Sequence, residues 1–390
     1  MRFAQTAKGE TNIGITTGLA ILLIGLSVFS GRTMAAIKRY PNALFFVAFL
    51  ILSGTASLFA SEPIQAIKMT ILVGGYFLLA FSVAGLKLQR QEILQLISVF
   101  AISTALMSIT SLIDYFHVVD IPRVNERSAS RGLEVANLLG PFYSQTPMAA
   151  HLCLAFPIPI AFIFSQSVEK KQKFLWIVVL IPTILAAILT YSRGLFISFA
   201  IVITYIFYIS GDITRVKYWL RNFVAASTIL AIGIFLIQSY LPKQYTALIQ
   251  RLSDTQLEAI QSSKSDTARF GAIESTLKDL SESPFGLGFT ESEIQVGSRV
   301  YSKNAHSNII DILRAGGPLG LLLFTFFILP VLVRAFNIIE PQIEIPLFAA
   351  LVSFFMYGLT HTTIATMFAW ILAGITFHLK SLRVNKKVSF

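Results

Sequence analysis

Long apolar stretches, separated by short polar segments, recur along almost the whole chain. A helix that crosses a bilayer needs roughly 20 mostly apolar residues, and within a bilayer a helix satisfies all its backbone hydrogen-bonding groups in one segment. The pattern therefore predicts an all-α integral membrane protein, a polytopic helical bundle of about 11 (10–12) transmembrane helices. The predicted spans cover residues 13–30, 42–60, 69–86, 93–116, 146–165, 174–190, 194–210, 223–238, 316–336, 345–360 and 363–379.

The composition agrees with a membrane protein and excludes a soluble globular one. Of the 390 residues, 55% are apolar and 13% are charged, and that charged fraction is about half the fraction in an ordinary soluble domain. The single cysteine, Cys153, lies in an apolar stretch, which excludes a disulfide framework. The net charge of +11 would favour nucleic acid as a partner of a soluble protein, so the location of these charges decides their meaning.

The basic residues are divided unevenly between alternate loops. Sixteen of the 31 lie in segments 31–41, 87–92, 166–173, 211–222 and 337–344, at Arg334, and in the tail from Lys380. By the positive-inside rule, these segments face the cytoplasm. Most of the net charge therefore reports topology, and no nucleic-acid partner is predicted. With eleven spans, a cytoplasmic C-terminus places the N-terminus outside, or else one helix is miscounted.

This orientation predicts three regions. Residues 1–238 form the N-terminal transmembrane helices, with an outer loop at 117–145. Residues 239–315 form a large outer loop, and residues 316–390 form the C-terminal helices and a cytoplasmic tail. The large loop carries two patterns close to helical spacing, at Ile249, Leu252, Leu257, Ile260 and at Phe270, Ile273, Leu277, Leu280. We therefore expect a partly helical cap on the membrane surface.

The sequence lacks the motifs of metal, nucleotide and proton-coupled transport sites. It contains no P-loop, GxGxxG, HExxH or Cys/His cluster, and no DxD-like pair in the outer loops. Neither a metal nor a cofactor is therefore predicted. Proton-coupled transporters usually carry ionisable residues at the bilayer midplane, whereas Asp114, His151 and His361 lie near predicted helix ends. A transporter is disfavoured.

Several arginines lie on the predicted outer side. Arg193 occupies a turn between two spans, Arg127 and Arg131 lie in the 117–145 loop, and Arg269 lies in the large loop. Singly, each is equally well interpreted as an interfacial or solvated side chain. Together they place several guanidinium groups near the lipid headgroups, and a guanidinium binds phosphate oxygens with paired donors. The set favours a diphosphate on a lipid carrier as the ligand.

A histidine closes the large loop and opens the next helix. Apolar residues follow His306 at Ile309, Ile310 and Leu313, so the histidine stands at the head of an inward-facing helical stripe. Imidazole titrates near neutral pH and can take a proton from a hydroxyl group. A helix-capping or headgroup-contacting histidine is the alternative interpretation.

The helix after His306 has two further features. Residues 316–318 read Gly-Gly-Pro, which permits a kink or a close helix approach. Asp311 and Arg314 are three residues apart, and we expect a local ion pair between them rather than a catalytic couple.

These motifs resemble the signature of the O-antigen ligase and polymerase superfamily, His-[Asn/Ser/Gln]-x9-Gly-x-x-Gly. His306, Ser307, nine further residues, Gly317 and Gly320 fit this signature without a gap. The turn Ser192-Arg193-Gly194 is similar to the family's turn between consecutive spans. Arg269, followed by Gly286-Leu287-Gly288, is similar to its large-loop pattern of an arginine, a helix and a Gly-x-Gly turn. The matching features span roughly residues 60–335.

The resemblance implies metal-independent glycosyl transfer at the periplasmic face of the bacterial inner membrane. The donor would be a glycan on undecaprenyl diphosphate, and the acceptor a hydroxyl of lipid A–core or of another glycan. His306 would act as general base. Arg193 and Arg269, with Arg131 and Arg127, would hold the departing diphosphate, and the attack would invert the anomeric centre.

Three other functions remain open at this point. A ligase is favoured over an O-antigen or exopolysaccharide polymerase because the His-Ser form of the signature is the one usually quoted for ligases, and a member that glycosylates protein is a further alternative. From a different class, a polyprenyl-phosphate-sugar flippase or carrier would use the same arginines to bind its lipid. Such a carrier would need no histidine base.

Overall fold

The computed structural model describes residues 15–116, 138, 145–165, 167–209, 264–290, 292–296, 299–303 and 307–387, with isolated positions between 238 and 249. For residues 264–270, 292–296, 299–303 and 380–387, the description covers the backbone only. These parts of the chain form helices and one small hairpin.

The helices of the N-terminal half follow the predicted apolar stretches. They are α1 (Ile15–Phe29), α2 (Arg32–Arg39), α3 (Ala43–Ser57), α4 (Pro63–Ala84), α5 (Arg90–Tyr115), α6 (Gln145–Ala155), α7 (Pro157–Phe164), α8 (Lys170–Leu189) and α9 (Arg193–Ile209). Proline opens α4 and α7, because the first turn of a helix needs no amide donor from that residue. Gln89 and Glu92 form a capping box at the start of α5.

The C-terminal half begins with the large loop. The elements are α10 (Lys264–Glu282), β1 (Ser292–Val296), β2 (Arg299–Lys303), α11 (Asn308–Ala335), α12 (Pro341–Gly358) and α13 (Met367–Lys387). Helix α10 contains the second amphipathic pattern of the sequence, so the loop is partly helical there, as predicted. The first pattern lies almost entirely outside the described residues.

The helices make this chain a multi-pass membrane protein. By length and composition, six helical segments in the described part can cross a membrane, and seven can if α1 and α2, which meet at 79°, form one bent span. Helices α3 and α9 and residues 367–379 of α13 are apolar but shorter. The helical membrane architecture is thus confirmed, whereas the count of about 11 spans is not. The predicted span 223–238 lies, except for residue 238, outside the described residues.

Within the predicted all-α architecture, the large loop contains one short hairpin that was not predicted from the sequence. Strands β1 and β2 pair antiparallel, from Ser292 opposite Lys303 to Val296 opposite Arg299. The physical reason is local, since β-branched and aromatic residues recur in both strands and the two residues between them, Gly297 and Ser298, suit a tight hairpin turn.

An aromatic core joins α3, α4, α11 and α13. The ring of Phe46 lies 4.8 Å from that of Phe77 and 4.7 Å from that of Phe327, measured between centroids. The Tyr40 hydroxyl donates a hydrogen bond to the Phe327 carbonyl oxygen at 3.0 Å. A Cβ added at Gly374 would collide with the Ala80 carbonyl oxygen, so glycine permits α13 to approach α4 closely. This core holds the middle of α11 in place.

A second group of helices packs around α6 and α7, which are almost completely buried. Helix α9 packs against α12, and α5 packs against α8. This arrangement brings the turn between α8 and α9 close to the end of α12. The same end of the bundle contains the start of α11 and the start of α13.

Candidate functional site

The structure describes some of the predicted site residues and not others. Side chains are described at Ser192, Arg193, Gly194, Gly286, Gly288, Ser307, Gly317 and Gly320, and Arg269 is described as a backbone position on α10. His306, Arg131 and Arg127 lie outside the described residues, and their roles stay predictions.

The turn between α8 and α9 carries buried polar groups next to Arg193. Tyr191 has a φ of 51°, which is uncommon for a residue other than glycine. Its phenol is buried, and this burial raises its pKa above the usual value. Ser192 is 3% exposed, and its hydroxyl has no hydrogen-bond partner within the described part of the chain. Arg193 then begins α9 and is half-buried.

Gly194 presses this turn against the loop that follows α12, residues 359–366, called here the α12–α13 loop. A Cβ at Gly194 would lie 2.5 Å from Thr360 Oγ1 and 3.0 Å from His361 Cε1, so any other residue here would require these side chains to shift. The His361 ring stacks on Tyr357 with centroids 4.2 Å apart, and its Nδ1 lies 2.9 Å from Thr360 Oγ1. The sequence placed His361 only near a helix end, and its contact with the arginine turn was missed.

The first eight residues of α11, Asn308–Ala315, form a short unit that we call the motif segment. It ends at a kink, because Gly316 and Gly317 leave the helical conformation. The Gly-Gly-Pro sequence was interpreted as permitting a kink or a close helix approach, and the structure has the kink. Gly317 has a φ of 64° and a ψ of −168°, a region open essentially to glycine alone. The signature glycine is therefore required by the backbone.

The motif segment binds the α12–α13 loop through Asn308. Its Oδ1 accepts hydrogen bonds from the backbone amides of Thr363 at 2.7 Å and Ile364 at 3.0 Å. Its Nδ2 donates to Thr363 Oγ1 at 2.9 Å. One turn further on, Asp311 Oδ2 accepts a hydrogen bond from Thr362 Oγ1 at 2.7 Å. The same loop thus contacts the Ser-Arg-Gly turn and the histidine motif, two segments far apart in the sequence.

The Gly-x-Gly turn joins the large loop to the kink of α11. The Leu287 amide donates to the Arg314 carbonyl oxygen at 2.7 Å, and a Cβ at Gly286 would lie 2.7 Å from that same oxygen. A Cβ at Gly288 would collide with Ser57 at the end of α3. Both glycines have positive φ, 91° and 75°. The turn is therefore wedged between α3 and α11.

Arg314 connects the motif segment to the large loop. The side chain is buried, and its Nη1 lies 3.1 Å from Asp279 Oδ2 on α10. Nη1 also donates to Thr276 Oγ1 at 3.3 Å, and Nε donates to Thr290 Oγ1 at 3.0 Å. From the sequence, Arg314 was assigned only a local pair with Asp311. Its partners on α10 are 35 or more residues away, and helical spacing gives no signal for them.

The residues described at this site offer no metal centre. Within that part of the chain, no group of three or more His, Cys, Asp or Glu side chains is placed to hold a metal ion. The polar groups that gather here are hydroxyls, amides, a histidine and arginines. The fold and the site define a multi-pass helical membrane protein with a polar, glycine-jointed site at one end of the bundle.

The comparison with known families agrees with this description. Residues 177–325 match the Wzy_C family model, described as O-antigen ligase, and the resemblance to the O-antigen ligase and polymerase superfamily is confirmed. The matched region contains the Ser-Arg-Gly turn, the Gly-x-Gly turn and the histidine motif, and it ends before the α12–α13 loop. Among curated proteins, none matches the chain significantly.

Proposed function

We propose that this protein is an O-antigen ligase of the bacterial inner membrane. It transfers a glycan from undecaprenyl diphosphate to a hydroxyl of a lipid A–core acceptor at the periplasmic face. One observation carries the proposal: the α12–α13 loop contacts both signature segments, through Gly194 on one side and Asn308 on the other. Two motifs that are separate in the sequence thus belong to one site.

The turn before α9 is the proposed binding position for the diphosphate. Arg193 supplies a guanidinium with paired donors for phosphate oxygens, and the N-terminus of α9 carries a partial positive charge. The buried Ser192 hydroxyl, without a partner among the described residues, is a further donor that a phosphate oxygen would satisfy. Arg269 is assigned to the same diphosphate by resemblance, with Arg131 and Arg127 as additional contacts.

In the proposed reaction, His306 takes the proton of the acceptor hydroxyl while that oxygen attacks the anomeric carbon. The bond from the anomeric carbon to the diphosphate oxygen breaks, and undecaprenyl diphosphate leaves with the bonding electrons. A positioned general base contributes about 10²–10⁴-fold to such a step. Donors fixed at the developing negative charge contribute about 3 kcal/mol each, which the arginines supply here without a metal.

Deletion of the gene, followed by analysis of surface glycans, tests the reaction class. A ligase leaves lipid A–core without polymer while long chains stay on the lipid carrier. A single repeat unit on the core would instead identify a polymerase. Glycan units that fail to reach the periplasmic face would identify a flippase or carrier.

Complementation with point variants tests the assigned residues. We expect His306→Ala to lose transfer, and near-wild-type surface glycan would refute the general base. Arg193→Lys keeps the charge but loses the paired donors, so we expect transfer to fall about tenfold. Arg90→Lys is the matched control, since Arg90 also opens a helix, α5, but on the predicted cytoplasmic side. It should retain wild-type transfer.

A further inference from the structure

We infer that Asn308, Asp311 and Arg314 are positioning residues that hold the two arginine-bearing elements in register with the His306 end of α11. The assignment rests on the proposed function and extends it to residues in the variable stretch of the signature, between Ser307 and Gly317. In this proposal, none of the three residues contacts the substrate. Each acts through the element that it binds.

The three residues form one polar stripe on the motif segment. They are spaced three apart, and each such step turns a helix by 300°, so the three lie on adjoining strips of a single face. Asn308 and Asp311 bind the α12–α13 loop, whereas Arg314 binds α10. We call the contacts of Asn308 and Asp311 with the α12–α13 loop the first arm of the stripe, and the contacts of Arg314 with α10 the second arm.

The first arm leads to Arg193. Asn308 fixes the loop through three hydrogen bonds, two of which go to backbone amides. That loop supplies Thr360 and His361, against which Gly194 packs without room for a Cβ. Because contacts this tight transmit displacement, a shift of the loop would shift the turn that carries Arg193.

The second arm leads to Arg269. Arg314 binds Thr276 and Asp279 of α10, and position 269 precedes Thr276 by seven residues on the same helix. Seven residues are close to two helical turns, so positions 269 and 276 lie on the same face. The face that Arg314 holds is thus the face on which position 269 lies.

This geometry makes the rate of transfer depend on the stripe. A slip of α10 by one turn would move position 269 by about 5.4 Å, and a misplacement of about 1 Å at a reacting group can cost about 100-fold in rate. Loss of one arm should therefore impair the arginine at its far end and leave the other arginine unaffected.

Double-mutant cycles on purified protein test this division. Transfer is measured as kcat/KM with an undecaprenyl-diphosphate-linked glycan and lipid A–core. We expect Arg314→Lys and Asn308→Ala each to lower kcat/KM about tenfold. When Arg269→Lys is already present, Arg314→Lys should lower kcat/KM little further. When Arg193→Lys is present instead, the two fold-changes in kcat/KM should multiply. Asn308→Ala should show the reverse pattern. The effects of two substitutions on the free energy of the transition state add when the residues are independent, and they fail to add when the residues are in contact or coupled.

Two further variants guard against a purely structural effect. Asp279→Asn breaks the second arm from α10 and should reproduce the coupling pattern of Arg314→Lys if the latter folds poorly. Arg334 lies at the opposite end of α11. Any fold-change in kcat/KM caused by Arg334→Lys should multiply with the fold-changes of both Arg193→Lys and Arg269→Lys. Thermal unfolding in detergent is recorded for each protein, so that kcat/KM refers to the folded fraction.

The outcomes distinguish failure of the positioning roles from failure of the proposed function. Suppose that Arg193→Lys and Arg269→Lys both impair transfer, but the fold-changes in kcat/KM multiply in every double mutant. The positioning roles are then refuted and the proposed function stands. If both single variants keep wild-type kcat/KM, the diphosphate assignment fails and the positioning roles fail with it. The predicted crossed pattern of coupling supports both.

Discussion

The two ends of α11 each hold an arginine against a carboxylate, but the partners differ in origin. At the motif end, Arg314 Nη1 lies 3.1 Å from Asp279 Oδ2, and the two residues belong to α11 and the large loop. At the other end, Arg334 Nη2 lies 2.5 Å from Glu344 Oε1, only ten residues further along the chain. Both pairs are at least partly shielded from solvent.

The environment of each pair shows what it does. Glu344 is fully buried, and its Oε2 also accepts hydrogen bonds from the amides of Ile339 at 2.7 Å and Glu340 at 3.1 Å. That pair closes the short connection between α11 and α12, which is a local structural role. Arg314 instead binds side chains from two parts of the large loop. The same chemistry thus seals a turn at one end and joins distant site elements at the other.

The largest expected effect comes from the kink that separates the two ends. In Gly317→Ala, a Cβ would collide with the Pro284 carbonyl oxygen, and the backbone conformation would be strained as well. We expect a loss of about 3 kcal/mol in the free energy of unfolding, measured by thermal unfolding in detergent. Gly320→Ala is the matched control, since its Cβ would meet Phe49 at an ordinary 3.4 Å. Equal destabilisation by both would contradict the kink assignment.

A smaller effect distinguishes the two ion pairs directly. Glu344→Ala leaves Arg334 and two amides without their acceptor, and we expect a loss of about 3 kcal/mol in stability, with unchanged transfer per folded molecule. Asp279→Ala removes a carboxylate that is 33% exposed but leaves the buried Arg314 without it, so the loss of stability should be about 2 kcal/mol, between the values for an exposed and a buried pair. Its transfer rate should nevertheless fall about tenfold. The distinction between the two ion pairs is refuted if Asp279→Ala costs more stability than Glu344→Ala and Glu344→Ala lowers the transfer rate more than Asp279→Ala.

The smallest expected effect tests the first arm of the stripe. Thr362→Val removes the hydroxyl that donates to Asp311 Oδ2 at 2.7 Å, and we expect a loss of about 1 kcal/mol with a modest fall in transfer. Thr362→Ser keeps the donor and should behave as wild type. If Thr362→Ser is impaired as much as Thr362→Val, the methyl packing of this threonine matters and its hydrogen bond does not.

Much of this fold follows from the sequence because its causes are local. Apolar stretches predicted the helices, and Gly316-Gly317-Pro318 indicated either a kink or a close helix approach, of which α11 has the kink. The signature glycines were identified as a motif, but spacing alone did not show why they are glycines. Gly194 lies against Thr360 and His361, which leave little room for a Cβ. These two residues are more than 160 positions away, and such contacts depend on tertiary packing.

The parts of the site that escaped prediction have the same origin. Asn308 sits inside the variable stretch of the signature, and its two partners in the α12–α13 loop, Thr363 and Ile364, carry no recognisable pattern. Arg314 matched a familiar i,i+3 spacing with Asp311, and that local interpretation hid its partners on α10. The hairpin β1–β2 was not predicted, because each strand has only 5 residues, too few for a sustained alternation of apolar and polar positions.

The central claim is that this chain transfers a glycan from a lipid-linked diphosphate with His306 as the base. Single-turnover transfer by purified protein, with labelled glycan on undecaprenyl diphosphate and lipid A–core as acceptor, measures that step directly. We predict that wild-type protein forms the labelled product with release of undecaprenyl diphosphate, and that His306→Ala slows this step by at least about 100-fold while still binding the donor. Product formation by His306→Ala at the wild-type rate would contradict it.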